Sequence, residues 1–143
     1  MLTADFSTRL YELRKERGLS TRELGRLIGA ESGRISRYEN DRKRPFLGSA
    51  VRLSNALNVY LDYLCGYEDE KRPAAGPYSA ELFPARLNEL RQRSGLPRQT
   101  LSELCGFCED RVGRYLIHHD TPRIEAVASF ADFFGVPMEY FCL

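Results

Sequence analysis

The side chains best equipped for chemistry in this sequence are guanidinium groups at helical spacing. In the stretch RISRYENDRKRP, residues 34–45, Arg34 and Arg37 stand three apart, and Arg42, Lys43 and Arg44 follow in one run. Residues three apart on a helix share a face, and the planar Arg fork matches the O6/N7 edge of guanine. A trailing cationic loop suits phosphates, whose neutralisation releases counterions and makes affinity salt-dependent. Catalytic chemistry is poorly served. The two histidines, His118 and His119, are adjacent, and there is no phosphate-binding loop or metalloprotease helix. No enzyme activity and no cofactor are expected.

The elements that must position these groups occur twice. Sliding the chain by 77 residues aligns 6–66 with 83–143 without a gap: Phe6 with Phe83, Arg9 with Arg86, Leu13 with Leu90, Arg14 with Arg91, Tyr38 with Tyr115, Pro45 with Pro122 and Cys65 with Cys142. A repeat of this kind divides the chain into 1–66, a charged Pro/Gly/Ala-rich connector YEDEKRPAAGP at 67–77, and 78–143. Within the first unit the apolar residues fall at helical spacing. Phe6, Leu10 and Leu13 make one stripe; Leu24, Leu27 and Ile28 a second; Ile35 and Tyr38 a third; Leu47, Ala50, Leu53 and Leu57 a fourth; Leu61 and Leu64 sit on a short fifth turn. Gly18 closes the first helix, and Ser20 followed by Glu23 spells a capping box for the second. Gly29 separates the second from the third, and Pro45 suits the start of the fourth. Two short helices joined by a Gly-containing turn are a helix-turn-helix signature, and nothing reads as strand.

Residues 6–66 resemble the Cro and lambda-repressor type helix-turn-helix family, also called the xenobiotic-response-element regulators. The resemblance is carried by RLYELRKERGLSTRELGRLIGAESGRISRYENDRKRP followed by LGSAVRLSNALNVYLDYL, including Tyr38-Glu39-Asn40 and the basic residues before Pro45. Residues 83–143 resemble it more weakly. The expected fold is all-α: two tandem five-helix lambda-repressor-like domains and a short linker. The resemblance implies that helix 3 enters the major groove while helix 2 lies across the backbone. It places Arg34 and Arg37 toward bases, Ser32 toward either sugar-phosphate or base, and Gly33 where the backbone approaches closely without reading. Thr21 and Arg22 at the start of helix 2, with Asn40, Arg42, Lys43 and Arg44, fall toward phosphates. It also implies an orienting ion pair between Arg14 and Glu39. The family often has Gln at the positions of Thr21 and Ser32, so no base preference carries over.

Charge separates the two copies. Residues 1–66 hold 12 Lys/Arg against 8 Asp/Glu, and residues 78–143 hold 7 against 9. Ser32-Gly33 is matched by Glu109-Asp110, two carboxylates at the expected start of helix 3 that suit its dipole and repel phosphate. Tyr-Glu-Asn becomes Tyr115-Leu116-Ile117, which removes the partner of Arg91. Arg98, Arg111 and Arg114 remain as weaker candidates for DNA contact. Phe130 and Phe134 are expected in the core, while Leu116, Ile117, Phe133, Tyr140 and Leu143 are candidates for an exposed interface patch. Cys105 and Cys108 have the spacing of half a zinc site, with His118 and His119 ten residues on. Cys105 aligns with Ile28, however, so a turn of small apolar residues is the plainer reading, with no metal expected.

These observations point to a repressor-like transcriptional regulator that binds duplex DNA. Homodimerisation through 78–143 would place two copies of 1–66 on a palindromic operator. A rival arrangement is a monomeric pseudo-dimer with both units on DNA, since eleven linker residues extend to roughly 35 Å, about one duplex turn. A reading of another class is an antitoxin-like or adaptor protein whose second unit binds a partner protein. The start MLTADFSTRL carries Asp5 and Arg9 where a secretory segment is apolar, and no window is long and apolar enough to span a bilayer. Cytoplasmic residence and no membrane partner are therefore expected.

Overall fold

The computed structural model describes residues 1–40 and 44–143. Helices follow one another as α1 (Phe6–Glu16), α2 (Thr21–Ile28), α3 (Ser32–Asn40), α4 (Leu47–Leu57) and the short α5 (Leu61–Leu64). After a 3-10 turn at Ala80–Leu82 come α6 (Phe83–Ser94), α7 (Arg98–Leu104), α8 (Arg111–Leu116), α9 (Ile124–Phe134) and a closing 3-10 turn at Met138–Phe141. Among the described residues there are no strands, so the fold is all-α.

Local chemistry accounts for the boundaries. Asp5 caps α1 by accepting from the Ser7 amide. Ser20 and Glu23 form the full reciprocal capping box at α2, satisfying amides that a helix start otherwise leaves open. Gly29 ends α2 at φ 71°, a left-handed geometry that costs glycine little. Gly25 allows a close approach: a Cβ there would lie 2.6 Å from the Ala30 carbonyl oxygen, inside the α2–α3 turn. Pro45 stands two residues before α4, which Phe46 precedes as cap.

The core is continuous across both halves. Phe6, Leu10, Leu13, Leu24, Ile35, Leu53 and Leu57 fill the first half. The second is built round an aromatic cluster in which Phe83 meets Tyr115, Phe130 and Phe141 at centroid distances of 5.4, 6.2 and 5.5 Å. Two side chains depart from the expected stripes. Leu27 is 59% exposed, because the α2 stripe facing the core is narrow and is filled by Leu24 and Ile28. Phe134 is half-buried beside exposed Phe133.

The halves meet across a local two-fold relation. The Leu47 amide donates to the Pro122 carbonyl at 2.8 Å, and the Ile124 amide donates to the Pro45 carbonyl at 3.1 Å. Each of those partners is the 77-residue counterpart of the other pair's, with Phe46 and Arg123 bridged antiparallel at the centre. The Arg123 guanidinium lies 4.3 Å from the Phe46 ring centroid. Helix α4 packs on α9. Buried Asp62 on α5 accepts from the Met138 and Glu139 amides at 2.8 and 2.9 Å, capping the final 3-10 turn of the other half.

Residues 67–77 lie along the first half as a strap. The Tyr60 amide donates to the Arg72 carbonyl at 2.8 Å, and Arg72 stacks 3.9 Å from the Tyr60 ring centroid. Arg9 donates to the carbonyls of Tyr63 and Glu68, both at 2.6 Å, and to Asp69 at 2.9 Å.

Candidate nucleic-acid interface

Helix α3 presents its cations outward while its other face is anchored. Ile35 is fully buried and Tyr38 packs edge-on against Phe6 at 6.0 Å, donating through its hydroxyl to Ser49 at 3.1 Å. Arg34 and Arg37 are exposed. A Cβ at Gly33 would lie 3.5 Å from Arg37 Nη1, an ordinary van der Waals contact, so the guanidinium passes over this residue. Neither Arg34 nor Arg37 has an ion-pair partner among the described residues. Ser32 is half-buried and Asn40 exposed at the two ends of the helix, while Thr21 and Arg22 occupy the first turn of α2. Arg44 is half-buried beside the inter-half bridge, where its carbonyl accepts from Arg123 at 3.2 Å. Arg42 and Lys43 lie outside the described residues.

The helix is locked by the Arg14–Glu39 pair. Arg14 Nε and Nη2 donate to the two Glu39 carboxylate oxygens at 2.7 and 2.9 Å, and Nη1 donates to the Leu19 carbonyl at 2.8 Å. Both side chains are under 10% exposed, and the Glu39 hydrogen bond raises the Arg14 pKa further above its already high value. A buried bidentate pair fixes orientation as well as charge. It joins the end of α1 to the end of α3.

Residues 10–64 match the Helix-turn-helix family. This part of the chain is similar to members of that family. Two proteins of Bacillus subtilis (strain 168) are similar to it. The HTH-type transcriptional regulator ImmR is 33% identical over 61 residues, 43% of this chain and 48% of that protein. The uncharacterized HTH-type transcriptional regulator YobD is 32% identical over 68 residues, 48% of this chain and 61% of that protein. The chain thus spans about half to three fifths of these relatives' length. No solved structure matches.

Against the first half, the second keeps the helix order and changes the chemistry. Helix α8 starts at Arg111, two residues later than the Ser32 counterpart Glu109. Asp110 is its cap, accepting from the Gly113 amide at 2.8 Å. Glu109 and Asp110 therefore precede the helix instead of forming its first turn, which corrects the sequence expectation. A carboxylate that can cap an amide two or three residues on competes with helical continuation. Ser102, at the place of Gly25, accepts from the Val112 amide at 3.0 Å and reinforces this turn.

The same two acids occupy the remaining cations. Arg98 lies 3.6 Å from Asp110, Arg111 3.6 Å from Glu109 and Arg114 3.5 Å from Glu109. Sequence spacing does not reveal this pairing, because it depends on where α8 begins. Among the apolar candidates, Ile117, Phe133 and Leu143 are exposed, and Leu116 and Tyr140 half-buried. All four cysteines are unpaired. Burial pushes the Cys105 thiol up to about 11, away from the reactive thiolate. Among the described residues no group of three or more His, Cys, Asp or Glu is placed to hold a metal, and no helix is long and apolar enough to cross a membrane.

Proposed function

We propose that the chain is a transcriptional regulator that binds duplex DNA in a sequence-specific way, with α3 in the major groove. Arg34 and Arg37 read bases, Ser32 and Gly33 allow the close approach, and Thr21, Arg22, Asn40, Arg42, Lys43 and Arg44 hold phosphates. The observation that carries this reading is the contrast in guanidinium state. Among the described residues Arg34 and Arg37 are exposed and have no acidic partner, on a helix fixed by Arg14–Glu39, whereas Arg98, Arg111 and Arg114 face carboxylates. Desolvating Arg34 or Arg37 against a base edge breaks no ion pair among the described residues, while drawing Arg111 or Arg114 to DNA breaks one.

Selection from random duplexes, then competition binding at two salt concentrations, tests it. The expected result is a preferred sequence whose affinity falls steeply with salt. Equal affinity for every duplex would overturn sequence specificity.

The pairing of units has two readings, and the reciprocal bonds between Pro45–Leu47 and Pro122–Ile124 favour one of them. Homodimerisation through the second half supplies a palindrome reader. In the favoured reading the two-fold partner of the reading unit is carried in the same chain, giving a monomeric pseudo-dimer and an operator with one strong half-site. Light scattering with and without operator separates them. A one-chain, one-duplex complex supports the pseudo-dimer, and two chains per duplex support the homodimer.

A further inference from the structure

Where the first half has Glu39 the second has Leu116, and a cationic cleft opens there. In the first half the Nε/Nη2 edge of Arg14 is filled by Glu39. Arg91 repeats the anchoring of its counterpart, with Nη1 donating to the Leu96 carbonyl at 3.3 Å. Leu116 stands where the acid was. Arg91 Nη2 turns to the Asn88 side-chain oxygen at 3.1 Å, and Arg91 Nε is buried with no hydrogen-bond partner. An orphaned charged donor is costly. Beside it opens a cleft of about 400 Å³ lined by Arg91, Arg98, Asn88, Pro84, Leu116 and Ile117 among others. That volume lies at the small end of the range for small-molecule sites.

We propose that this cleft binds a small organic monocarboxylate with a short apolar tail. The carboxylate takes the Nε/Nη2 edge of Arg91, reproducing the Glu39 geometry, with Asn88 turning aside. Arg98, which among the described residues has one acidic neighbour, Asp110 at 3.6 Å, supplies the second cation. The tail lies on Pro84, Leu116 and Ile117. A dianion such as phosphate suits the site less well, because half the wall is apolar and Asp110 already lies 3.6 Å from Arg98. The site joins α6, α7 and the end of α8, as the internal Arg14–Glu39 pair joins α1 and α3. It stands independently of the DNA-binding reading.

The test is calorimetric titration and thermal melting of the full chain with 3-methylbutanoate and benzoate. The neutral amide of 3-methylbutanoate and inorganic phosphate serve as controls. Saturable binding and a raised Tm are expected for the carboxylates and not for the controls. Arg91→Gln should weaken binding by about tenfold or more. Because that variant also risks the Leu96 anchor, Leu116→Glu is the second probe. It should raise the Tm with no ligand present, by restoring an internal partner, and abolish carboxylate binding. No saturable response to either carboxylate, an equal response to the amide or to phosphate, or undiminished binding in Leu116→Glu would each overturn the proposal.

Discussion

Arg34 and Arg37 differ from Arg98, Arg111 and Arg114 in what surrounds them among the described residues, and the residue-level predictions turn on that. Arg37→Ala should cost about 1–3 kcal/mol on the preferred duplex and relax selectivity at one base pair. Competition binding against single-base variants of the site measures it, and an equal loss on every sequence would reduce Arg37 to a phosphate contact. Glu109→Gln frees Arg111 and Arg114 from their shared partner without touching the Asp110 cap. It should leave operator affinity unchanged or raise it, most visibly at low salt, where exposed charges are least screened. A marked loss would mean that Glu109 itself accepts from a base. The Arg14–Glu39 pair was legible in the sequence through the family resemblance, and the structure has it as a bidentate, buried contact. The Glu109 and Asp110 pairings were not, because a carboxylate two residues before a helix reads the same as one in its first turn.

At the scale of elements, punctuation was the most readable part. The Ser20/Glu23 capping box and the Gly29 break stand where residue type placed them, since each depends on contacts within four residues. Periodicity did less well where a face is only partly covered. Leu27 fits the α2 stripe by spacing yet is exposed, and which edge of an eight-residue helix meets a neighbour is decided by packing. The connector carries no apolar period, so its docking through Arg72 on Tyr60 and through Arg9 escapes pattern reading. Gly25 is the element-level test. A Cβ there meets the Ala30 carbonyl at 2.6 Å, and backbone cannot step aside as a flexible side chain can. Gly25→Val should destabilise the fold by about 1–3 kcal/mol as α2 is pushed off the turn, seen as a lowered urea midpoint with little change in m-value. Ser102 at the corresponding place carries a side chain into its own turn without such a penalty, since its hydroxyl accepts the Val112 amide.

For the whole molecule, the contact with a built-in pH response is Asp62. It is fully buried at the junction of the halves. Burial pushes its carboxyl up to about 6, outweighing the Met138 and Glu139 amides that favour the charged form, with Glu139 and Glu68 adding like-charge repulsion. The folded state therefore holds this proton more tightly than the unfolded chain. The resulting stabilisation is complete below the ordinary carboxyl pKa near 4 and is lost as pH rises through about 6. Its full size is about 3 kcal/mol. Denaturation at a series of pH values should show wild type losing stability relative to Asp62→Asn between pH about 4 and about 6.5. Parallel curves for the two proteins would show that the carboxyl is not titrating there. Sequence gave no hint of this group's role, because its partners are backbone amides 76 and 77 residues away.

The exchange of amides between Leu47, Pro122, Ile124 and Pro45 also bears on dosage and on divergence. Two halves held in one polypeptide meet at an effective concentration fixed by the tether, so dilution in the cell does not separate them. In a symmetric pair of identical subunits every substitution appears twice and must suit both sides of the dyad. Here it appears once. One half can thereby carry acids, a leucine where the other has a glutamate, and a cleft, with no matching change required of the other.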